Sequence, residues 1–341
     1  MPNRLLIGLG AQSGSSTATA VLSQNLKIDI DDKYLVGVGA GDWTTWNSPP
    51  GAYIAGVAGE AAGLGAIPMF TLYQMAANGS GNLSGLSSTT FMSAYWANVK
   101  LMFQNIAATG KPALVNFEPD FWGFAQQHAT NGNPTTVFAY VNTNPDCATL
   151  SNDVVGIVGC LIGMARKYAP KAYVGFPPSD WDNDEPSVIA WMNAIGAQHA
   201  DFIVLQSLDR DAGCYEADAT ASGCNPSSNQ AWYLDETNTT TPNYSQDLAA
   251  DLGYHVGMGG LPLIWWQTPM GVPSSTRGGT PNHYRDNHVH YFLTHAAELA
   301  AAGGVAVVFG TGNNFQTSVA TDGGEFQALS AAYLAAPPQL P

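Results

Sequence analysis

Residues 89–122 read TTFMSAYWANVKLMFQNIAATGKPALVNFEPDFW and carry the pattern that decides the fold. Apolar residues recur at helical spacing in the first part, which predicts a helix over Thr89–Ala108. The Gly-Lys-Pro sequence at 110–112 is a typical helix stop. The next five residues, Ala113–Phe117, are almost all apolar, as expected for a strand that is buried on both faces of a parallel sheet. This stretch therefore predicts one helix–strand unit of an α/β protein.

The same order of apolar run, polar loop and helical stretch recurs along the chain. We predict eight parallel strands, at Leu5–Gly10, Tyr34–Gly39, Ile67–Tyr73, Ala113–Phe117, Ala172–Phe176, Asp201–Gln206, Pro262–Gln267 and Val305–Gly310. Between and after them we predict helices at Ser16–Lys27, Ala52–Gly63, Thr89–Ala108, Asp153–Tyr168, Pro186–Gln198, Asp247–Gly257, Tyr284–Ala302 and Glu325–Ala335.

Eight strands that alternate with helices predict a single (β/α)8 TIM barrel of the α/β class. We expect residues 1–334 to form this catalytic barrel and residues 335–341 (AAPPQLP begins at 335) to form a flexible C-terminal tail. The alternative is an open, doubly wound sheet. The sequence lacks the glycine-rich nucleotide-binding motifs that such sheets often carry, which favours the barrel.

The charge balance restricts the class of partner. The chain has 11 Lys and Arg against 26 Asp and Glu, giving a formal net charge of −15. This charge repels phosphate backbones and anionic polysaccharides, so we expect no nucleic acid partner. No apolar run reaches the roughly 18–20 residues that a membrane span needs, so we expect no membrane partner either. We further expect a monomer.

The four cysteines indicate the compartment. Cys147, Cys160, Cys214 and Cys224 allow three pairings, of which the most local joins Cys147 to Cys160 and Cys214 to Cys224. Two such disulfides are typical of an oxidising environment. We therefore predict a secreted, extracellular protein whose leader peptide is absent from this sequence.

Function in a barrel of this kind gathers at the C-terminal ends of the strands. Six of the nine tryptophans fall there, and Trp and Tyr rings can stack on the apolar faces of sugars. We interpret the aromatic and polar residues of these ends as a binding site for a polysaccharide or oligosaccharide: Asp42, Trp43, Trp46, Tyr73, Asn116, Trp122, Asp180, Trp181, Gln206, Trp266, Gln267 and Asn313. The alternative is that Trp265 and Trp266 pack the barrel wall and that the other residues line a generic cleft.

The end of strand 4 carries the sharpest chemical signal. Period-two alternation puts Asn116, Glu118 and Asp120 on one face, where polar groups are costly to bury unless they are used. Neighbouring carboxyl groups also drive their pKa values apart, as an acid and a base require. We predict that Glu118 is a general acid with Asp120 beside it. Alternatively, Asp120 caps a loop and Glu118 pairs with Arg210.

Strand 6 offers a second acidic pair, Asp209 and Asp211. Glycoside hydrolysis uses two carboxyl groups, about 5–5.5 Å apart for retention of configuration and about 6.5–9.5 Å apart for inversion. We predict that Asp209 or Asp211 acts as base or nucleophile opposite strand 4. Alternatively, both belong to a salt bridge with Arg210 beside the second predicted disulfide.

This set of residues resembles the (β/α)8 glycoside hydrolase superfamily. Its cellulase-type members carry an Asn-Glu acid on strand 4 and a nucleophilic Glu on strand 7; here Phe117 separates Asn116 from Glu118, and Gln267 replaces the nucleophile. Its chitinase-type members carry D-x-D-x-E on strand 4, and Asn116-x-Glu118-x-Asp120 has that spacing with different acids. On strand 6, Leu208-Asp209 replaces the Tyr-Asp pair of the chitinase type.

We therefore predict a secreted glycoside hydrolase that cleaves a neutral polysaccharide within the chain, without a metal or other cofactor. The alternative is a non-catalytic carbohydrate-binding barrel, which Gln267 favours because an amide cannot act as a nucleophilic carboxylate. A metal-dependent hydrolase is disfavoured because the strand ends lack histidine ligands. Asp180, Asp182 and Asp184 have the spacing of a calcium loop but lack its glycine and terminal glutamate.

Overall fold

The computed structural model describes residues 3–10, 15–179, 184–207, 244–271, 288–310 and 317–341. Eight parallel strands follow one another in chain order around a closed barrel. They are β1 (Leu6–Gly10), β2 (Ile30–Val36), β3 (Ile67–Tyr73), β4 (Ala113–Phe117), β5 (Ala172–Phe176), β6 (Phe202–Leu205), β7 (Leu263–Thr268) and β8 (Gly304–Phe309). The predicted fold class is confirmed.

Helices separate the strands. The described residues contain α1 (Ser16–Ser23), α2 (Ala52–Leu64), α3 (Thr89–Ala108), α4 (Phe121–His128), α5 (Val154–Tyr168), α6 (Glu185–Ile195), α7 (Tyr244–Gly257), α8 (His288–Thr294), α9 (Ala296–Ala301) and α10 (Glu325–Ala335). Helix α4 was not predicted. The long helix predicted over Tyr284–Ala302 is instead two helices where the structure describes it, because His295 leaves the helical conformation (φ −111°, ψ 23°).

Strand β2 begins four residues before the predicted run, which is the largest error in the strand assignment. After Ile30 it continues with three ionisable residues, Asp31, Asp32 and Lys33, and all three are buried. The indole of Trp266 donates a hydrogen bond to Asp32 (3.0 Å), and the Lys33 ammonium lies 3.5 Å from Glu60. Burial of charge is tolerated where such partners exist. A search for apolar runs could not find this part of the strand.

The chain divides into two compact units, which we describe separately. One comprises Met1–Asp32, Leu205–His255 and Pro262–Pro341, and the other comprises Lys33–Val204 and Val256–Leu261. In the second unit the rings of Phe117, Trp122 and Phe176 pack together, with centroids 5.2 Å apart in both contacts made by Phe176. Burial of a large apolar side chain contributes about 1.5–3 kcal/mol.

One glycine in this second unit marks a close approach of two strands. A Cβ atom at Gly175 of β5 would lie 2.2 Å from the ring of Phe202 in β6. Any side chain at position 175 would therefore collide with that ring.

Cys147 and Cys160 form a disulfide, as predicted. The predicted Cys214–Cys224 pair lies outside the described residues. Helix α10 ends at Ala335, and the flexible tail after it stays a prediction, as does the extent of the barrel domain. Across the described ranges, none of the helices has both the length and the apolar character needed to cross a membrane.

Candidate functional site

The backbone at the end of β4 turns sharply into α4. The strand ends at Phe117, and both Glu118 (φ +54°) and Asp120 (φ +67°) have the positive φ values that side-chain-bearing residues avoid. Such strained positions tend to cluster at functional sites. The regular alternation of the strand therefore ends at Phe117, before Glu118 and Asp120. Glu118 is fully buried, whereas Asp120 is exposed.

The Glu118 carboxyl is held by backbone groups of the loop after β3. Its Oε2 atom accepts hydrogen bonds from the Gln74 and Met75 amides, both at 2.9 Å. Burial raises the pKa of Glu118 to about 8, while the two amides and the Tyr95 hydroxyl favour the charged form and oppose that rise. Near neutral pH the side chain is therefore mostly protonated and uncharged.

Several buried polar atoms near the ends of β3 and β4 lack a hydrogen-bond partner within the described residues. They are Glu118 Oε1, the Tyr95 hydroxyl, Gln74 Oε1 and Asn116 Oδ1. The Tyr95 hydroxyl and Glu118 do not meet the geometry of a standard hydrogen bond. The hydroxyl lowers the pKa of Glu118 through its electrostatic interaction with the carboxyl. Buried unpaired groups cost stability, and their concentration at one strand end is typical of a functional region.

Asp120 and Tyr73 form an accessible pair at the ends of neighbouring strands. The Tyr73 hydroxyl donates to Asp120 Oδ2 (3.2 Å) and lies at the same distance from Ser80 Oγ. Burial is the main cause that raises the pKa of Tyr73, so its proton is retained at physiological pH. A pocket beside this pair is lined by apolar side chains that include Leu83 and Phe124.

Asp42 organises the loop after β2. Its carboxylate accepts hydrogen bonds from the Gly39 and Thr44 amides (2.9 and 3.1 Å), from the Thr44 hydroxyl (2.5 Å) and from Asn98 Nδ2 of α3 (2.9 Å). Asp42 is buried, so all of its described contacts are internal. The same loop presents Trp46, which is 44% exposed and donates to Gly41 O (3.1 Å).

Three of the tryptophans predicted to bind sugar are buried in the described structure. Trp43 and Trp122 are 0% exposed and Trp266 is 2% exposed. The indoles of the last two donate to internal acceptors, Phe117 O and Asp32 Oδ2. Their large rings fill the interior. Of these three, only Trp266 belonged to the alternative interpretation of barrel-wall packing.

Asn116 is also fully buried, with its Nδ2 atom 3.5 Å from the Thr71 hydroxyl. It therefore offers no accessible contact to a ligand in this structure, unlike the exposed Asp120 four residues later.

In the other unit, two amides meet at the ends of β6 and β7. Gln206 Nε2 donates to Gln267 Oε1 (3.0 Å), and Gln206 is exposed while Gln267 is half-buried. Gln267 also adopts a positive φ of 50°. Strand β7 thus presents a neutral amide in a strained backbone conformation.

The remaining predicted site residues lie outside the described residues. They are Asp180, Trp181, Asp209, Asp211 and Asn313, together with Arg210, the alternative partner of Glu118. Within the part of the chain that the structure describes, no group of three His, Cys, Asp or Glu side chains is placed to hold a metal ion.

Comparison of the structure with solved proteins finds several of similar fold. A GH5 xyloglucan-specific β-1,4-glucanase from a ruminal metagenomic library has a TM-score of 0.56 at 11% identity, covering 94% of this chain and 88% of that one. A GH113 β-1,4-mannanase has a TM-score of 0.53 at 10% identity, covering 98% of both chains. The virulence factor SghA, solved with its substrate analog salicin, has a TM-score of 0.51 at 13% identity, covering 97% and 96%.

At these identities the likeness shows the fold. The chain is a (β/α)8 barrel. No protein-family model matches the sequence, and no curated protein sequence matches it.

Sequence reasoning missed three residues that shape the strand ends, namely Gln74, Tyr95 and Asn98. Tyr95 and Asn98 belong to α3, which the sequence predicted only as a helix with apolar residues at helical spacing. Both side chains are buried, and each interacts with a carboxyl that follows a strand. Tyr95 interacts with Glu118, and Asn98 donates a hydrogen bond to Asp42. The sequence signal that could have identified them is a polar side chain among the apolar positions of a predicted helix.

Proposed function

We propose that this protein hydrolyses the glycosidic bonds of a neutral polysaccharide, within the chain and outside the cell. The observation that carries the proposal is the accessible Asp120–Tyr73 pair at the C-terminal ends of adjacent barrel strands. The named substrates of the xyloglucan-specific glucanase and the mannanase with the same fold support a β-linked glycan as the substrate class. The Cys147–Cys160 disulfide supports secretion.

Within this proposal, Asp120 is the strand-4 carboxyl that meets the substrate. We prefer it to Glu118 because a catalytic proton donor or acceptor must come within about 2.6–3.2 Å of the reacting atom, and Glu118 is fully buried. The Tyr73 hydroxyl binds Asp120 Oδ2, which leaves Oδ1 for the sugar. Asp209 or Asp211 supplies the second carboxyl, and the separation of the two carboxyls sets retention or inversion.

The sugar contacts in this proposal come from exposed or half-buried groups. Trp46 offers an exposed ring for stacking, and Gln206 and Gln267 offer amides for hydroxyl groups. These residues belong to the predicted binding set, from which the buried tryptophans drop out in this proposal.

The test is hydrolysis of a panel of neutral glucans and mannans, measured as new reducing ends. Asp120→Asn should lower kcat by about 10²–10⁴-fold, because an amide cannot exchange a proton or form a covalent bond with the sugar. Binding of the polysaccharide, measured by calorimetry, should change far less.

A matched control exists elsewhere on the chain. Asp146 also accepts a hydrogen bond from a tyrosine, Tyr168, but it follows no barrel strand. Asp146→Asn should therefore leave kcat unchanged. Equal loss in both variants would indicate a general effect of removing an Asp–Tyr pair, and no loss in Asp120→Asn would remove strand 4 from the proposed mechanism.

A non-catalytic carbohydrate-binding barrel is the second candidate. The Gln206–Gln267 amide pair favours it, because β7 carries no carboxylate at this position. Tight polysaccharide binding without any release of reducing ends would support this candidate over hydrolysis.

A further inference from the structure

We propose that Glu118 is a positioning residue, which ties the first two peptide groups after β3 to the end of β4 and so sets Tyr73 against Asp120. This inference rests on the proposed function, since it concerns the accuracy with which Asp120 is presented. It assigns to Glu118 a role that requires no contact with the substrate.

The connectivity of the chain makes Glu118 a direct link between the two strand ends. Tyr73 is the last residue of β3, and the next two amides, those of Gln74 and Met75, both donate to Glu118 Oε2. The Glu118 amide in turn donates to Leu72 O (2.7 Å). Backbone and side chain of one residue thus bind the segment on both sides of Tyr73.

Asp120 lies two residues after Glu118, within the same strained turn. Both have positive φ, so the turn needs external contacts to keep its shape. The bonds to β3 and its loop supply them. Because the Tyr73 hydroxyl and Asp120 Oδ2 are 3.2 Å apart, a small rotation of either segment would break their hydrogen bond.

The burial of Glu118 argues against direct chemistry. The side chain is 0% exposed, its Oε2 atom is occupied by two amides, and Oε1 is enclosed near Tyr95. The two amide N–H groups that donate to Oε2 need an acceptor oxygen at that place, and the oxygen need not carry a charge. A glutamine presents an acceptor oxygen of the same reach, whereas a methionine fills the space without one.

The experiment uses this difference between glutamine and methionine at position 118. With Glu118→Met, kcat/KM should fall by about 100-fold, the order expected when a catalytic group is displaced by about 1 Å. With Glu118→Gln, the loss should stay below about tenfold, because the acceptor oxygen is kept. Amide hydrogen exchange provides a readout apart from activity, and Gln74 and Met75 should lose protection in Glu118→Met and keep most of it in Glu118→Gln.

A second buried carboxyl serves as the matched control. Asp322 is 2% exposed and accepts hydrogen bonds from the Gly324 and Phe326 amides (both 2.8 Å) at the start of α10. Asp322→Leu should lower the melting temperature without a selective fall in kcat/KM. If Glu118→Met behaved in the same way, with Tyr73 and Asp120 undisturbed, Glu118 would be structural only and the proposal would be overturned.

The outcomes also separate this proposal from the proposed function. Inactivation by Glu118→Gln with normal exchange at Gln74 and Met75 would make Glu118 the acid itself and overturn the positioning role. If the wild-type protein hydrolysed no glycan, the proposed function would fail, yet the exchange measurement would still report whether Glu118 holds the β3 loop. Unchanged exchange in Glu118→Met would then overturn the positioning role independently.

Discussion

At residue scale, the charge of Glu118 changes within the accessible pH range. Its pKa is about 8 in the folded protein against 4.5 for an unperturbed Glu, so the folded state binds the proton more tightly. The stabilisation is complete below about pH 4.5 and is lost as pH rises through about 8, amounting to roughly 5 kcal/mol at most. Urea unfolding of wild type and Glu118→Gln from pH 4 to 9 should show this extra slope only in the wild type. If the unfolding free energies of the two proteins changed with pH in parallel, the ionisation would belong to a group other than Glu118.

Residue types at the strand ends were predictable, but their exposure was not. The sequence indicates Trp43, Trp46 and Trp122 equally well as sugar-binding rings, and only Trp46 is exposed. Glu118 and Asp120 differ in the same way. Exposure is decided by which neighbouring segment covers a side chain, here the loop after β3, and no local pattern reports that contact.

At the scale of elements, Asp42 links the loop after β2 to α3. In Asp42→Asn, one oxygen becomes an amide group that cannot accept from Gly39 N or Asn98 Nδ2. An unpaired buried donor costs about 1–3 kcal/mol, so we expect a fall of that size in unfolding free energy. The exchange Asp42→Asn with Asn98→Asp should recover part of it, because the amide at 42 then donates to a carboxylate at 98. Additive losses in denaturant melts would show that the two side chains are not coupled.

Element boundaries followed the sequence best where a mostly apolar run is closed by polar turns. Strands β3, β4 and β5 are such runs, and they begin and end at the predicted residues. Strand β2 departs from the prediction because Asp31, Asp32 and Lys33 are buried with charge, which depends on partners distant in sequence, such as Trp266 for Asp32. Helix α4 was not predicted because Trp122 was interpreted as a ligand contact at a strand end.

At the scale of the whole molecule, the net charge of −15 gives a prediction that does not depend on any one side chain. Repulsion between like charges is screened by salt, with a Debye length of about 10 Å at 0.1 M. Raising NaCl from about 0.01 to 0.5 M should therefore leave kcat/KM on a neutral glucan within about twofold and raise it several-fold on the carboxymethylated form of the same polymer. Initial rates of reducing-end release on the two polymers measure this directly. A decrease with salt on the charged polymer would contradict the prediction, because it requires a local cluster of Lys and Arg side chains that attracts the polyanion despite the net charge of the chain.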